Sequence, residues 1–229
     1  MNTFPTKTPN LGLFRGTVLV FAFVLGCQAT WILMAEFFRP PHSDFSATRQ
    51  PAAVAATDQN GAALAASFGL IRGDLWSEDA LTYLDLFTTD NRHSSNAQIE
   101  QAHEAADRAL AFAPHNAGVW LVLASINSRF DWLNHEAAAA LRMSYYTGAN
   151  ETELIPLRLL LAVQSVALGD SDFQQLVRHD IRTVVTRKPE LKPAIAAAYR
   201  DALPIGQQFL EETLEEVDPT LLAKIRSKR

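Results

Sequence analysis

The sequence predicts an all-α protein: one apolar helix able to cross a membrane, then a domain of helical hairpins. Three observations predict it. Thr17 to Ala35 carries no charged residue across 19 positions. From Gly61 to the end, apolar residues recur at helical spacing, and no stretch alternates apolar with polar residues long enough to make a sheet. Gly, Pro, Asn and Asp punctuate that pattern at short intervals, which gives short turns and therefore adjacent neighbours.

The organisation follows in order. Residues 1–16 read as a short tail and 17–38 as a membrane-spanning signal anchor. At about 1.5 Å per residue the uncharged run covers roughly 28 Å, close to the hydrocarbon thickness of a bilayer. Trp31 and the Phe37-Phe38 pair suit the membrane interface. Two processing alternatives stay open. Val24 to Cys27 has the form of a lipobox, which would make Cys27 a lipidation site. Cleavage after Ala29 also satisfies the small-residue rule. Both leave an apolar new terminus, so length and lack of charge favour an uncleaved anchor with its short tail inside the cell. Residues 39–59, with Pro40, Pro41 and Pro51, read as a linker.

The region 60–229 divides into about ten helices. The first runs from Asn60 to Ile71 and stops at Gly73. The second starts at Ser77 as N-cap and runs to Thr88, with Ala80, Leu81, Leu84 and Phe87 on one face. Thr89 to Asn96 is a polar loop. The third, Ala97 to Ala113, carries Ala102, Ala105, Ala106 and Ala109 on one face, where another helix can approach closely. Pro114 stops it, and Asn116 caps the fourth, Ala117 to Phe130. The fifth covers Leu133 to Thr147 before Gly148. The sixth opens on a capping-box-like Asn150 to Glu153 and reaches Leu168. The seventh spans Ser171 to Arg187, the eighth Glu190 to Ala202 and the ninth Pro204 to Glu216. The tenth opens on Asp218-Pro219, an N-cap with proline behind it. Trp76 and Trp132 fall in turns, and Tyr145-Tyr146 divides into one core ring and one exposed ring.

Composition narrows the function classes. From Pro40 onward there are 17 Lys and Arg against 24 Asp and Glu, too acidic a balance for a phosphate-neutralising nucleic-acid binder. The single cysteine lies in the apolar segment, so the helical region has no disulfide and no thiolate metal site. His103 to Asp107 reads HEAAD, with His and Asp at i and i+4, but a third metal ligand has no source in the sequence, and a solvated helix face is the reading adopted. Arg178, Arg182, Arg187, Lys188 and Lys192 form a basic cluster diluted by Asp180 and Glu190. No Gly-rich phosphate loop or nucleophile elbow occurs. No catalytic, metal or cofactor residue is assigned, and no cofactor is expected.

Ala102, Ala109 and Pro114, followed by Trp120, Leu123 and Ala124, resemble a junction between two tetratricopeptide repeats. The family builds α-solenoids from 34-residue helical hairpins. The unit from Ala117 keeps the helix lengths but has Glu136 where a small residue is expected. The unit from Glu151 has Leu154, Leu157 and Arg158 where the family has Trp, Leu and Gly. The resemblance implies a concave groove that binds a protein or peptide, faced by Ser125, Ser128 and Arg129, with exposed Tyr146 available to a partner. The expected function is a non-enzymatic scaffold at a bacterial inner membrane, its C-terminal domain periplasmic, serving envelope assembly or export. The alternatives are a membrane-bound enzyme whose site assembles between helices, as from His103, Asp107 and Arg142, and a lipoprotein-type assembly factor.

Overall fold

The computed structural model describes residues 11–38, 60–67, 72–83, 96–129 and 134–227. The expected linker 39–59, the loop 89–95 and residues Leu84, Phe87 and Trp132 lie outside the described residues. Among the described residues there are eleven helices and three 3₁₀ turns and no strand. In chain order the helices are α1 (Leu11–Phe37), α2 (60–67), α3 (Gly73–Thr82), α4 (Asn96–Phe112), α5 (Ala117–Ser128), α6 (His135–Thr147), α7 (Ile155–Ala162), α8 (Ser171–Thr186), α9 (Lys192–Asp201), α10 (Pro204–Val217) and α11 (Pro219–Arg226).

α1 is long and apolar enough to cross a membrane over Phe14–Phe37. It begins six residues before the uncharged run, so Arg15 lies inside its first turns rather than ahead of it. From Phe14 to Phe37 its apolar side chains stay exposed, with one exception: Ala35 is buried in a cluster with Ala65, Ala66 and Leu75. Beside it Glu36 pairs with Arg72 at 3.4 Å, and Phe38 packs against the same cluster. The last turn of the apolar helix is therefore built into the helical domain.

Two hydrophobic cores share α5. Val119, Val122 and Ile126 face a core made largely of alanines from α2, α3 and α4, with Leu75, Trp76 and Ile99. Ala117, Leu121 and Ala124 face a second, bulkier core running through α6 to α11. The alanines of α4 expected to permit close approach are buried and pack against α3. Packing between helices has a regular order. α3 packs on α4, α4 on α5 and α5 on α6, while α3 also packs on α5, α5 on α7 and α7 on α9.

Several ends follow their sequence signals. Asn116 Oδ1 accepts from the Val119 amide at 3.1 Å, and Trp120 Nε1 donates to the Pro114 carbonyl at 2.7 Å, pinning the α4–α5 turn. Asp218 Oδ1 accepts from the Leu221 amide at 3.0 Å. Asn134 and Asp170 cap α6 and α8 in the same way.

Others differ. α3 begins at Gly73, so Ser77 is no N-cap: it is buried mid-helix and its hydroxyl donates back to the Gly73 carbonyl. Trp76 lies within α3 rather than in a turn. The expected sixth helix divides into a 3₁₀ turn (Thr152–Leu154), α7, and a second 3₁₀ turn (Val166–Gly169). Asn150 caps nothing there, and Thr152 instead bonds Glu153. The break comes at Ser165, whose extended backbone lets its hydroxyl accept from the Ala167 amide. A 3₁₀ turn, Pro189–Leu191, likewise precedes α9.

Candidate partner-binding surface

The residues expected to face a groove divide sharply. Ser125 is 5% exposed, and its hydroxyl donates to the Leu121 carbonyl at 2.8 Å. It is unavailable to a partner because α5 is covered on two sides, which the run AGVWLVLASI, apolar around the whole helix, signals. Ser128 is half-buried, its hydroxyl donating to the Ser125 carbonyl, and Arg129 is half-buried at the end of α5. Tyr146 is 63% exposed and shares the outward face of α6 with Ala139 and Met143 at i, i+4 and i+7 spacing. Tyr145, its neighbour, is the core ring, edge-on to Phe173.

Next to Ser128 and Arg129 lies an open concavity of about 430 Å³ between the start of α4 and the end of α5. Asn96, Ile99, Glu100, His103, Ile126 and Asn127 line it, and Ser128 and Arg129 do not. His103 Nδ1 and Asp107 Oδ2 sit 3.1 Å apart on the exposed rim of α4. Arg142 is elsewhere, paired with Asp170 at 3.0 Å. Among the described residues, no group of three or more His, Cys, Asp or Glu side chains is placed to hold a metal ion. The basic cluster is spread over ion pairs: Arg182 with Glu216, Lys192 with Asp218, and Lys188 with Glu190 at 3.9 Å.

What fixes α6 is a side chain that the pattern of apolar residues hides. Arg158, on α7, is fully buried. Its Nε donates to Ser144 Oγ at 3.0 Å, Nη1 to the Gly148 carbonyl at 2.9 Å, and Nη2 to the Ser144 carbonyl. Both carbonyls already accept a backbone amide, Ser144 from Gly148 and Gly148 from Glu151, and the guanidinium of the next helix adds a second donor to each. Its carbon lies 5.0 Å from the centroid of the Tyr145 ring. The lone Arg in the run LIPLRLLLA is the one signal in the sequence that marks it.

Asp180 completes this group from α8. It is 3% exposed, and neither its Oδ2 nor the Tyr145 hydroxyl has a hydrogen-bond partner of good geometry, although the two groups interact electrostatically. Burial pushes the Asp180 carboxyl up to about 7, against the pull of Arg158 and of Tyr145. Burial also lowers Arg158 and, together with Asp180, raises Tyr145. Unfolded Asp180 releases its proton near 3.8, whereas the folded protein holds it to about 7. Between those values the folded state binds more protons, so stability falls as pH rises and levels off above about 7. Asp180→Asn is expected to remove that slope, a difference of at most about 4 kcal/mol in denaturant unfolding across the window. An unchanged slope would place the titration elsewhere.

Comparison with family models, with curated proteins and with solved structures returns no match for this chain.

Proposed function

We propose that this protein is a membrane-anchored helical adaptor that holds a protein or peptide partner close to the bilayer. The observation that carries the reading is the ordered packing of α3 on α5, α5 on α7 and α7 on α9, with α4 and α6 between them. That order is what a tetratricopeptide-like array of hairpins requires, one helix of each hairpin forming a continuous row. α1 provides the tether, and its packed last turn sets the domain against the membrane rather than at the end of a free leash. The setting we infer is a bacterial inner membrane with the C-terminal domain in the periplasm, in envelope assembly or export.

The partner site in this reading is the α4–α5 concavity. Ile99 and Ile126 supply apolar floor, Asn96, Glu100, His103 and Asn127 supply the polar rim, and Ser128 and Arg129 adjoin it at the end of α5. Such a composition suits an amphipathic peptide segment. A photo-crosslinking residue at Asn127 should give one discrete adduct in native membranes. Arg129→Glu should lower its yield by roughly tenfold, and a crosslinker at exposed Thr186 should give no such adduct. Equal adducts at Asn127 and Thr186, or a yield indifferent to Arg129→Glu, would remove the site. A reporter fused at the C-terminus and active only in the cytoplasm would overturn the orientation.

A further inference from the structure

α2 meets α1 at the edge of the apolar span. From Phe14 to Phe37 the span has 24 residues, roughly 36 Å at about 1.5 Å each, against about 30 Å of hydrocarbon. Centred in a bilayer, it places the hydrocarbon edge near Ala35, about 3 Å short of Phe37. Ala35 is the apolar residue of the span that the domain buries, in the cluster that holds Ala65 and Ala66 of α2. The first turn of α2 abuts the chain just past the span. A methyl on Gly61 would lie 3.1 Å from the Phe38 carbonyl oxygen. Phe38 follows Phe37 directly, and the polar layer beyond the hydrocarbon is about 5–7 Å deep. With α1 in a bilayer, α2 begins inside that layer.

The two faces of α2 separate by helical spacing. Ala62, Ala65 and Ala66 are buried, at i, i+3 and i+4. Asn60, Ala63, Leu64 and Ser67 are exposed, at i, i+3, i+4 and i+7, with Leu64 46% exposed. A single exposed Leu is ordinary on a surface in water, so its depth decides its meaning here. The exposed stripe carries no charge: an apolar centre lies between two uncharged polar ends, a composition that suits the headgroup boundary. The charged groups nearby are engaged with one another, Arg72 with Glu36 at 3.4 Å and with Asp74 at 2.6 Å.

We propose that the exposed stripe of α2 is a lipid contact, with Leu64 seated among the headgroups and upper acyl carbons of the leaflet from which α1 emerges. The proposal rests on α1 being the membrane anchor and adds a second contact to one side of it. One contact leaves the domain free to turn about the axis of α1; a lateral contact removes that freedom. Lipid is the occupant because the depth that puts Ala35 at the hydrocarbon edge surrounds the helix covering it with headgroups.

The test uses the full chain in nanodiscs of phosphatidylcholine, spin-labelled at one cysteine at a time before reconstitution. Native Cys27 carries the label in the parent and reports the span. In a Cys27→Ser background, Leu64→Cys carries it on α2, and Thr186→Cys carries it on the exposed end of α8, beside Arg187 and Lys188. Neither of these two side chains belongs to a core. Collisions with oxygen, which partitions into lipid, are compared with collisions with a water-soluble nickel chelate. The oxygen-to-nickel ratio at Leu64 should exceed that at Thr186 by roughly fivefold or more and stay below that at Cys27. The anchor and the lipid contact fail separately. A Cys27 ratio as low as that at Thr186, or a Cys27 that takes no label, removes the anchor and the lipid contact with it. A high ratio at Cys27 with a Thr186-like ratio at Leu64 keeps the anchor and overturns the lipid contact. A Leu64 label shielded from both reagents overturns it too, since protein then covers the stripe.

Discussion

Replacing Arg158 with alanine is expected to destabilise the protein by about 3–5 kcal/mol, the usual consequence of removing one partner from a buried charged network. The guanidinium serves the Ser144 hydroxyl, the Ser144 carbonyl and the Gly148 carbonyl, and it offsets the charge of Asp180. Its loss strands the Ser144 hydroxyl and the Asp180 charge in a core from which water is excluded, while the two carbonyls keep their backbone amide donors. Arg158→Lys is expected to recover little, because an ammonium is a point charge and lacks the planar fork that reaches two carbonyls and a hydroxyl together. Chemical unfolding of the purified protein measures both variants. Adding Asp180→Asn to Arg158→Ala should recover part of the loss, since the stranded carboxylate is then gone. A double variant no more stable than Arg158→Ala would show that Asp180 does not carry the cost.

The second large effect is at Gly206, near the start of α10. A methyl group there would collide with the Val163 carbonyl oxygen and lie 2.9 Å from its carbon and 3.0 Å from Val163 Cα. These are backbone atoms at the end of α7, and they cannot rotate away. The Leu203 amide also donates to that carbonyl, at 3.4 Å, so moving α10 off the surface breaks a hydrogen bond as well. Gly206→Ala should cost at least about 3 kcal/mol, at the upper end of overpacking effects. Gly148 is a second tight position: a methyl there would collide with Ala117 Cβ, which is fixed to its own backbone, and would lie 2.9 Å from both Arg158 Nη2 and Glu151 Oε1. A fall in stability at Gly206 no larger than at Gly169, where a methyl meets nothing, would mean that α10 does not sit against α7 as described.

Much of this fold was legible because helix signals are local. The uncharged run marks α1, Asn116 and Asp218 accept from amides three residues on, and the alanines of α4 are buried as their spacing requires. What periodicity does not carry is which neighbour covers a face. Ser125 sits in a helix that two cores share, so a position expected to line a groove is inside the protein. Ser77 has the composition of a cap, but Gly73 lies four residues earlier and the helix simply begins there. The break at Ser165 depends on one side-chain hydrogen bond set against continued helix, a competition too fine for an apolar pattern to reveal. Arg158 was noticed as a departure from the repeat motif, yet its burial follows from tertiary partners fourteen and ten residues earlier in the chain.

The central claim is that α1 crosses a membrane uncleaved and unmodified, with the helical domain seated on its end. Cys27 tests it directly, being the sole cysteine and lying near the middle of the Phe14–Phe37 span. A water-soluble maleimide is applied to membranes with both faces accessible, and again after solubilisation in denaturing detergent. The expected result is no labelling in the membrane and full labelling afterwards, on a chain of unaltered mass, because a thiol in hydrocarbon meets neither water nor reagent. Labelling in the intact membrane would contradict the span. A thiol that stays blocked after solubilisation, on a chain shortened before Cys27 and heavier by a lipid, would identify a lipoprotein instead.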